Sequence, residues 1–221
     1  VVLLGDCEQL PPIGSGQVYY DVLNSGVIPT VRLLKPNRQS AKSGIYSTSL
    51  EIIDQRQLFN TQFDGILEYG ELRDMVVEVS RDADISKIAI DKFMQLYNNG
   101  EDILDIQVIT PMKLRGNCCT YNLNTKIQQL INPVNVQKDE FIVNNLGTDK
   151  KYMMKVGDKV INKKNDYSTV NVDGEKVPVF NGSVGIIKEI DIEDKSCIID
   201  FVGLGEIIME KHTWNNIELG Y

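Results

Sequence analysis

Hydrophobic positions in this chain come in short runs broken by Gly, Pro and Asn, and their spacing changes character along its length. Val1-Val2-Leu3-Leu4 is apolar without alternation, the pattern of a strand buried on both faces in a parallel sheet. It runs into Gly5-Asp6 and a polar loop stiffened by Pro11 and Pro12. Residues 18–23, closed by Asn24-Ser25-Gly26, predict a short helix, and residues 29–34 a short strand. Residues 45–59 predict a helix, residues 60–73 a mobile irregular stretch, and residues 75–79 a strand. Ile85, Ile88, Ala89, Phe93, Leu96 and Tyr97 repeat at helical spacing, a stripe that reads as core. Residues 105–113 predict a strand ending in a Thr-Pro turn. Leu123, Ile127, Leu130 and Ile131 mark one face of a further helix, stopped by Asn132-Pro133. From about residue 134 the period shortens to that of strands: 141–143, 159–161, 184–187, 197–201 and 206–209, with Gly-containing turns between them. Short strands at this spacing predict a small barrel.

Composition changes the picture little. Of 221 residues 42% are hydrophobic and 24% charged, ordinary for a globular protein. No apolar run is long enough to span a membrane, and no basic-then-apolar leader opens the chain. Four cysteines without a Cys-x-x-Cys pair, and the single His212, argue against a structural zinc site and for reduced thiols. A net charge of −8 argues against general polyanion binding, so contact with nucleic acid requires a local basic groove.

Candidate chemistry starts at the end of the first predicted strand, because open α/β sheets bind ligands beyond the carboxyl ends of their strands. Gln9 offers a donor and an acceptor to a phosphate oxygen or a water beside it. The residues by themselves fit an ordinary strand-to-helix loop equally well. Arg38 carries a fixed fork of donors suited to phosphate, or to a plain surface ion pair. Thr110, Lys113 and Arg115 place a hydroxyl and two cations after a predicted strand, either to contact a nucleic-acid backbone or to solvate a loop. Residues 150–164 hold six lysines and one aspartate, with Tyr152 and Tyr167 beside them. Bases stack on aromatics while cations track the backbone, although a solvated lysine face has the same composition.

Several of these segments resemble one family. Leu3-Leu4-Gly5-Asp6, then Gln9-Leu10-Pro11-Pro12-Ile13-Gly14, is similar to motif III of RecD-like superfamily 1 helicases, and Arg38-Gln39 to motif IV. Thr110-Pro111-Met112, Leu123-Asn124 and Asn132-Pro133 resemble the family's second RecA-like domain. Val156-Gly157-Asp158-Lys159-Val160, Asn165-Asp166-Tyr167 and Val179-Phe180-Asn181-Gly182 resemble its inserted SH3-like barrel. The chain departs from the family's pattern at Asn37, where an aromatic is usual, and at Cys118 or Cys119, where a glycine is.

The resemblance implies an α/β fold made of partial RecA-like P-loop NTPase domains with an inserted SH3-like β-barrel. The implied divisions are residues 1–34 for the end of the first RecA-like domain, 35–133 for the start of the second, 134–213 for the barrel and 214–221 for the return. It implies an internal fragment, from motif III to just before motif V, of an ATP-dependent 5′–3′ single-strand DNA helicase of the exodeoxyribonuclease V alpha-subunit type. The parent would be cytoplasmic, would act in DNA repair or recombination, and would work alone or with nuclease or other repair subunits. Gly5, Asp6, Gln9 and Arg38 would face the phosphates of ATP, with Gln9 and Arg38 catalytic and Mg2+ held by motifs upstream. Thr110, Pro111, Lys113, Arg115, Lys163, Lys164, Tyr167 and Asn181 would touch DNA. With no Gly-Lys-Thr loop in the sequence, the chain by itself is expected to hydrolyse no ATP. The alternative is a non-catalytic nucleic-acid- or protein-binding module built on the barrel. A hydrolase or transferase with its own site finds no support: Gly14-Ser15-Gly16 lacks the third glycine of a dinucleotide loop, Tyr19 standing there.

Overall fold

The computed structural model describes residues 1–9, 14–33, 40–80, 84–134, 139–144 and 150–221. The chain is mixed α/β and divides into two compact units, Val1–Asp82 and Ala83–Tyr221.

In the first unit, Val1 to Leu4 are exposed and unpaired, as are residues 29–33, so neither predicted strand forms. A short apolar run takes up strand geometry only against a ladder partner. Among the described residues neither segment has one. A seven-residue helix, α1 (Val18–Asn24), follows the opening loop as predicted. The next helix, α2 (Gly44–Ile53), is shorter than its hydrophobic pattern. Its N-terminus is built by a distant residue. Asp74 accepts from the Gly44 amide at 2.6 Å and the Ser43 hydroxyl at 2.7 Å, while the Ser43 hydroxyl oxygen accepts from the Ile45 amide. Negative charge at a helix N-terminus is favourable, and the hydroxyl donated by Ser43 holds the Asp74 carboxyl below the usual carboxylate range.

Residues 60–73, expected to be irregular, instead contain β1 (Gly65–Tyr69), which pairs antiparallel with β2 (Met75–Val79). The alternation of half-buried and exposed positions in both strands puts Leu67, Tyr69, Met75 and Val77 on one face. The turn of this hairpin abuts α2. A Cβ on Gly44 would lie 2.1 Å from the Tyr69 carbonyl oxygen, and a Cβ on Gly70 2.1 Å from the Gly44 nitrogen. Only two glycines allow this approach.

The second unit starts with α3 (Ile85–Asn98), capped by Asp84, which accepts from the Ser86 amide at 3.0 Å. Of its predicted stripe Phe93 is buried and Ile88 and Ala89 are half-buried, whereas Ile85, Leu96 and Tyr97 stay exposed; Ile90, outside that stripe, is buried. Residues 105–113, predicted as a strand, form an irregular segment: Ile106 is buried but Ile109 is exposed, and no ladder forms. Next comes α4 (Thr120–Ile131), with Leu123 and Ile127 in the core and Leu130, placed on the same face by its spacing, exposed.

The strands are β3 (Glu140–Asn144), β4 (Lys151–Lys155), β5 (Lys159–Asn162), β6 (Val170–Asn171), β7 (Val184–Asp191), β8 (Ser196–Phe201), β9 (Gly205–Glu210) and β10 (Ile217–Leu219). The pair β3–β4 stands as a hairpin, and the other six form one sheet in the order β10-β5-β7-β8-β9-β6, antiparallel throughout. The sheet is open, with β10 and β6 at its edges, and no closed barrel is found among the described residues. The two-residue β6 pairs with β9 and makes a single further bridge, Val170 to Lys176, too short a strand to carry the ladder around. One core runs through the unit, from Phe93, Leu123 and Ile127 on the helices to Val160, Ile187, Ile199, Ile207 and Met209 on the sheet. Among the described residues no helix is long and apolar enough to cross a membrane.

Candidate nucleic-acid interface

The helix α4 carries two kinds of residue at helical spacing. Alongside the apolar Leu123 and Ile127, Asn124, Gln128 and Asn132 are buried, a polar ladder four residues apart. Each rung finds partners. Asn124 donates to the Leu219 carbonyl at 2.7 Å, Gln128 to the Met153 carbonyl at 2.7 Å, and Asn132 to the Val156 carbonyl at 3.1 Å. Gln128 and Asn132 also donate to the Asp158 carboxylate, at 2.5 and 2.6 Å. That carboxylate takes two further donors, the Lys155 amide at 2.8 Å and the Tyr221 hydroxyl at 3.0 Å. Asp158 is fully buried, and burial raises its pKa above the ordinary carboxylate value despite four donors. The Val156-Gly157-Asp158-Lys159-Val160 run is therefore a structural keystone joining α4, β5 and the segment after β10.

This changes the reading of the lysine run. Lys155 and Lys159 are buried: the Lys155 ammonium donates to the Asn132 carbonyl, and that of Lys159 to the Ile106 carbonyl at 2.6 Å. Burial pushes the Lys159 amine down to about 8. Lys150 lies over the Tyr121 ring, 4.4 Å from its centroid, and Tyr152 is buried beside the same ring. Lys151, Lys163 and Lys164 are exposed. The six lysines therefore do not make one basic face.

The loop 110–119 folds onto the start of α4. Thr110 donates its hydroxyl proton to the Cys118 carbonyl at 2.6 Å, and the Thr120 and Tyr121 amides donate to the Met112 and Lys113 carbonyls. Lys113 pairs with Glu218 on β10 at 3.0 Å. Pro111 and Arg115 are exposed. The structure thus keeps Thr110, Pro111, Lys113 and Arg115 on one loop, with the Thr110 hydroxyl and the Lys113 charge both engaged internally.

At the far end of β5, two loops meet. Asp166 and Val179 exchange both backbone hydrogen bonds at 2.8 Å, and the Asn181 amide donates to Asn165 Oδ1 at 2.8 Å. Tyr167 and Phe180 emerge from these loops with rings perpendicular and centroids 6.1 Å apart. Both are solvent-facing, 68% and 46% exposed, and meet each other edge to face. Lys163, Lys164 and Asn181 flank them in sequence, so four of the predicted DNA contacts lie on these two loops. Phe180 was not among the predicted contacts. Its signal was available, since Phe180 precedes the Asn181-Gly182 turn and turn tips are exposed.

The predicted phosphate site is only partly described. Asp6 accepts from the Glu8 amide at 3.0 Å and from the Gln9 side-chain amide at 3.3 Å, and Tyr19 donates to the Gly5 carbonyl at 3.2 Å. Gly5, Asp6 and Gln9 therefore form a local cluster. Arg38 lies outside the described residues. Among the described residues no group of His, Cys, Asp and Glu is arranged to hold a metal ion.

No family model matches the chain. Among curated proteins it is similar to the ATP-dependent RecD2 DNA helicase of Deinococcus radiodurans, 26% identical over 230 residues that cover 100% of this chain and 26% of that protein. It is also similar to the uncharacterized protein MJ1519 of Methanocaldococcus jannaschii, 26% identical over 231 residues that cover 84% of this chain and 19% of that protein. The chain thus spans 26% of the length of the first and 19% of the second, and its relation to a DNA helicase is distant but end to end.

Proposed function

We propose that this chain is the middle of an ATP-driven translocase that moves 5′ to 3′ along single-stranded DNA in repair or recombination. It would run from motif III to just before motif V of a RecD-like helicase. The observation that carries the reading is similarity to a DNA helicase along the whole chain. The exposed Tyr167–Phe180 pair beside Lys163 and Lys164 supports it, because aromatic faces next to cations suit single strands.

In this reading Gln9, tethered to Asp6, and Arg38 face the nucleotide phosphates. An amide and a carboxylate alone do not balance phosphate charge, so Arg38 supplies the cation of this half of the site. Bound Mg-ATP would supply phosphoryl transfer to water. This chain's part is to orient Gln9 through Asp6 and to place Arg38 against developing charge. On the DNA side, Thr110, Pro111, Lys113 and Arg115 form one contact loop and the β5-end loops another, the latter on a sheet we assign to an SH3-like barrel. Asn124, Gln128 and Asn132 hold the first loop's helix rigidly against the sheet.

ATP hydrolysis by the full-length parent, with and without single-stranded DNA, tests the proposal. Strong stimulation by DNA, reduced about a thousandfold or more by Arg38→Ala, is expected. Hydrolysis indifferent to both would sink it. Absence of hydrolysis under all conditions would leave the non-catalytic binding module, which the exposed aromatic pair also supports.

A further inference from the structure

We infer that Phe180 and Tyr167 together form a stacking corner for one unpaired base of a single strand, and that buried Asn162 is the positioning residue that holds it. The inference rests on the single-strand reading above and adds to it the base-contacting surface and the group that sets its shape.

The corner is built from the two loops on either side of β6. Tyr167 follows β5, and Phe180 precedes β7. Asn162, the last residue of β5, is fully buried between them. Its side-chain amide donates to the Lys164 carbonyl at 2.6 Å and the Phe180 carbonyl at 3.0 Å, with the Val179 carbonyl at 3.5 Å. Three carbonyls on one side fix the orientation of this amide, since the flipped form would set oxygen against oxygen. The price is visible: Asn162 Oδ1 is buried and has no hydrogen-bond donor among the described residues. An amide that leaves its own acceptor unpaired in order to tie two carbonyls together is placed for that tie.

The geometry also selects the ligand. A perpendicular pair of rings offers one broad face and one edge, the arrangement a planar base meets when it stacks on one ring and abuts the other. Lys163 and Lys164 precede Tyr167 on the same loop and are exposed, so a backbone phosphate has cations at hand. The acidic group closest in sequence, Asp166, stays ionised, so the two lysines outnumber it by one positive charge. It accepts from the Ser168 hydroxyl at 2.6 Å and the Ser168 amide at 2.9 Å, and its carboxyl is held below the usual range by that hydroxyl, with His212 and Lys164 contributing. Charge complementarity thus favours a single-stranded nucleic acid over an uncharged proline-rich peptide.

The test uses this 221-residue chain and fluorescein-labelled oligothymidylate, with binding read by anisotropy and folding by circular dichroism. Phe180→Leu keeps apolar bulk but removes the ring, and should weaken binding roughly five- to a hundredfold, as should Tyr167→Ala. Asn162→Asp, which replaces donors with acceptors at constant shape, should weaken binding as much as Phe180→Leu. Unaltered affinity in folded Phe180→Leu overturns the corner, and unaltered affinity in folded Asn162→Asp overturns the positioning role. Tighter binding of a fluorescein-labelled polyproline peptide than of the oligonucleotide overturns the choice of ligand. Failure of the motor reading shows separately, as parent ATPase that ignores DNA while the corner still binds it.

Discussion

Removing the Asp158 carboxylate should cost the second unit a large part of its stability, and the structure sets the scale. Four donors converge on it: the Gln128 and Asn132 amides, the Lys155 backbone amide and the Tyr221 hydroxyl. The carboxylate is itself expensive to bury, as its raised pKa records. Its net value therefore lies in satisfying donors that would otherwise be orphaned, each at about 1–3 kcal/mol. Asp158→Ala leaves all four, so a loss of at least about 4 kcal/mol is expected, against total stabilities of about 5–15 kcal/mol for ordinary domains. Tyr221→Phe removes one donor and leaves the Lys159 amide, 3.3 Å from that hydroxyl, unpaired, for about 1–3 kcal/mol. Asp158→Asn should fall between, because it removes the buried charge but turns an NH2 toward two donors. Because folding raises the Asp158 pKa, the folded state binds more protons just above pH 3.8. Wild-type stability relative to Asp158→Asn should therefore fall as pH rises through that window. Urea unfolding followed by Trp214 reads this unit directly, since Trp214 is buried and packs on Phe141 at 4.1 Å. With about 1–3 kcal/mol per molar urea, Tyr221→Phe should lower the midpoint by roughly 0.3–3 M, about 1 M at mid-range, and Asp158→Ala by more. An Asp158→Ala midpoint within about 0.3 M of wild type would refute the keystone argument.

Two further predictions concern buried or paired charge. Burial depresses the Lys159 amine from 10.5 to about 8, so between these values the unfolded chain binds more protons and stability rises with pH, by up to about 3 kcal/mol. Cys197, raised to about 12 by burial, pulls the opposite way above pH 9, so the quantity to measure is wild type minus Lys159→Met by urea midpoint at pH 7.5 to 9.5. A flat difference curve refutes the assignment. Glu218 neutralises Lys113 at 3.0 Å, so Glu218→Gln should free that cation and raise oligothymidylate affinity severalfold at low salt, whereas equal or weaker binding by the folded variant would exclude Lys113 from the contact surface.

What the sequence disclosed depended on whether a segment's surroundings lie close by. The strands β7, β8 and β9 were legible because their neighbours in the sheet are short turns away, and alternation and Gly turns act locally, whereas β6 and β10, which pair with distant β9 and β5, were missed. The Val1–Leu4 and 105–113 runs have the same apolar texture, but a ladder partner is a property of the fold and no composition supplies it. The strand β1 was missed because Gly65 and Gly70 read as loop punctuation, when Gly70 is in fact required by the approach of Gly44. For the site, Lys163, Lys164, Tyr167 and Asn181 were legible as solvent-facing turn residues. The burial of Lys155 and Lys159 was not, because a lysine enters a core only where carbonyls await it. Those of Asn132 and Ile106 are 23 and 53 residues away.

That division makes the electrostatic reach of the lysine run measurable. Affinity for single strands falls with salt at a slope of about −0.7 per phosphate neutralised. Six surface lysines would give a slope near −4, but with Lys155 and Lys159 buried the run cannot exceed about −3. The cations at the stacking corner are Lys163 and Lys164, so Lys163→Ala with Lys164→Ala should flatten the slope by about 1.4. Lys155→Met and Lys159→Met should leave the slope unchanged while lowering stability, since each orphans a buried carbonyl and removes no surface charge. Anisotropy titrations of each folded variant across roughly 50–200 mM salt distinguish these outcomes. If Lys155→Met flattened the slope as much as the Lys163/Lys164 double variant, the burial that sets structural lysines apart from binding ones would not hold in solution. The contact surface would then extend along β4, and its charge would have to be counted from the whole run.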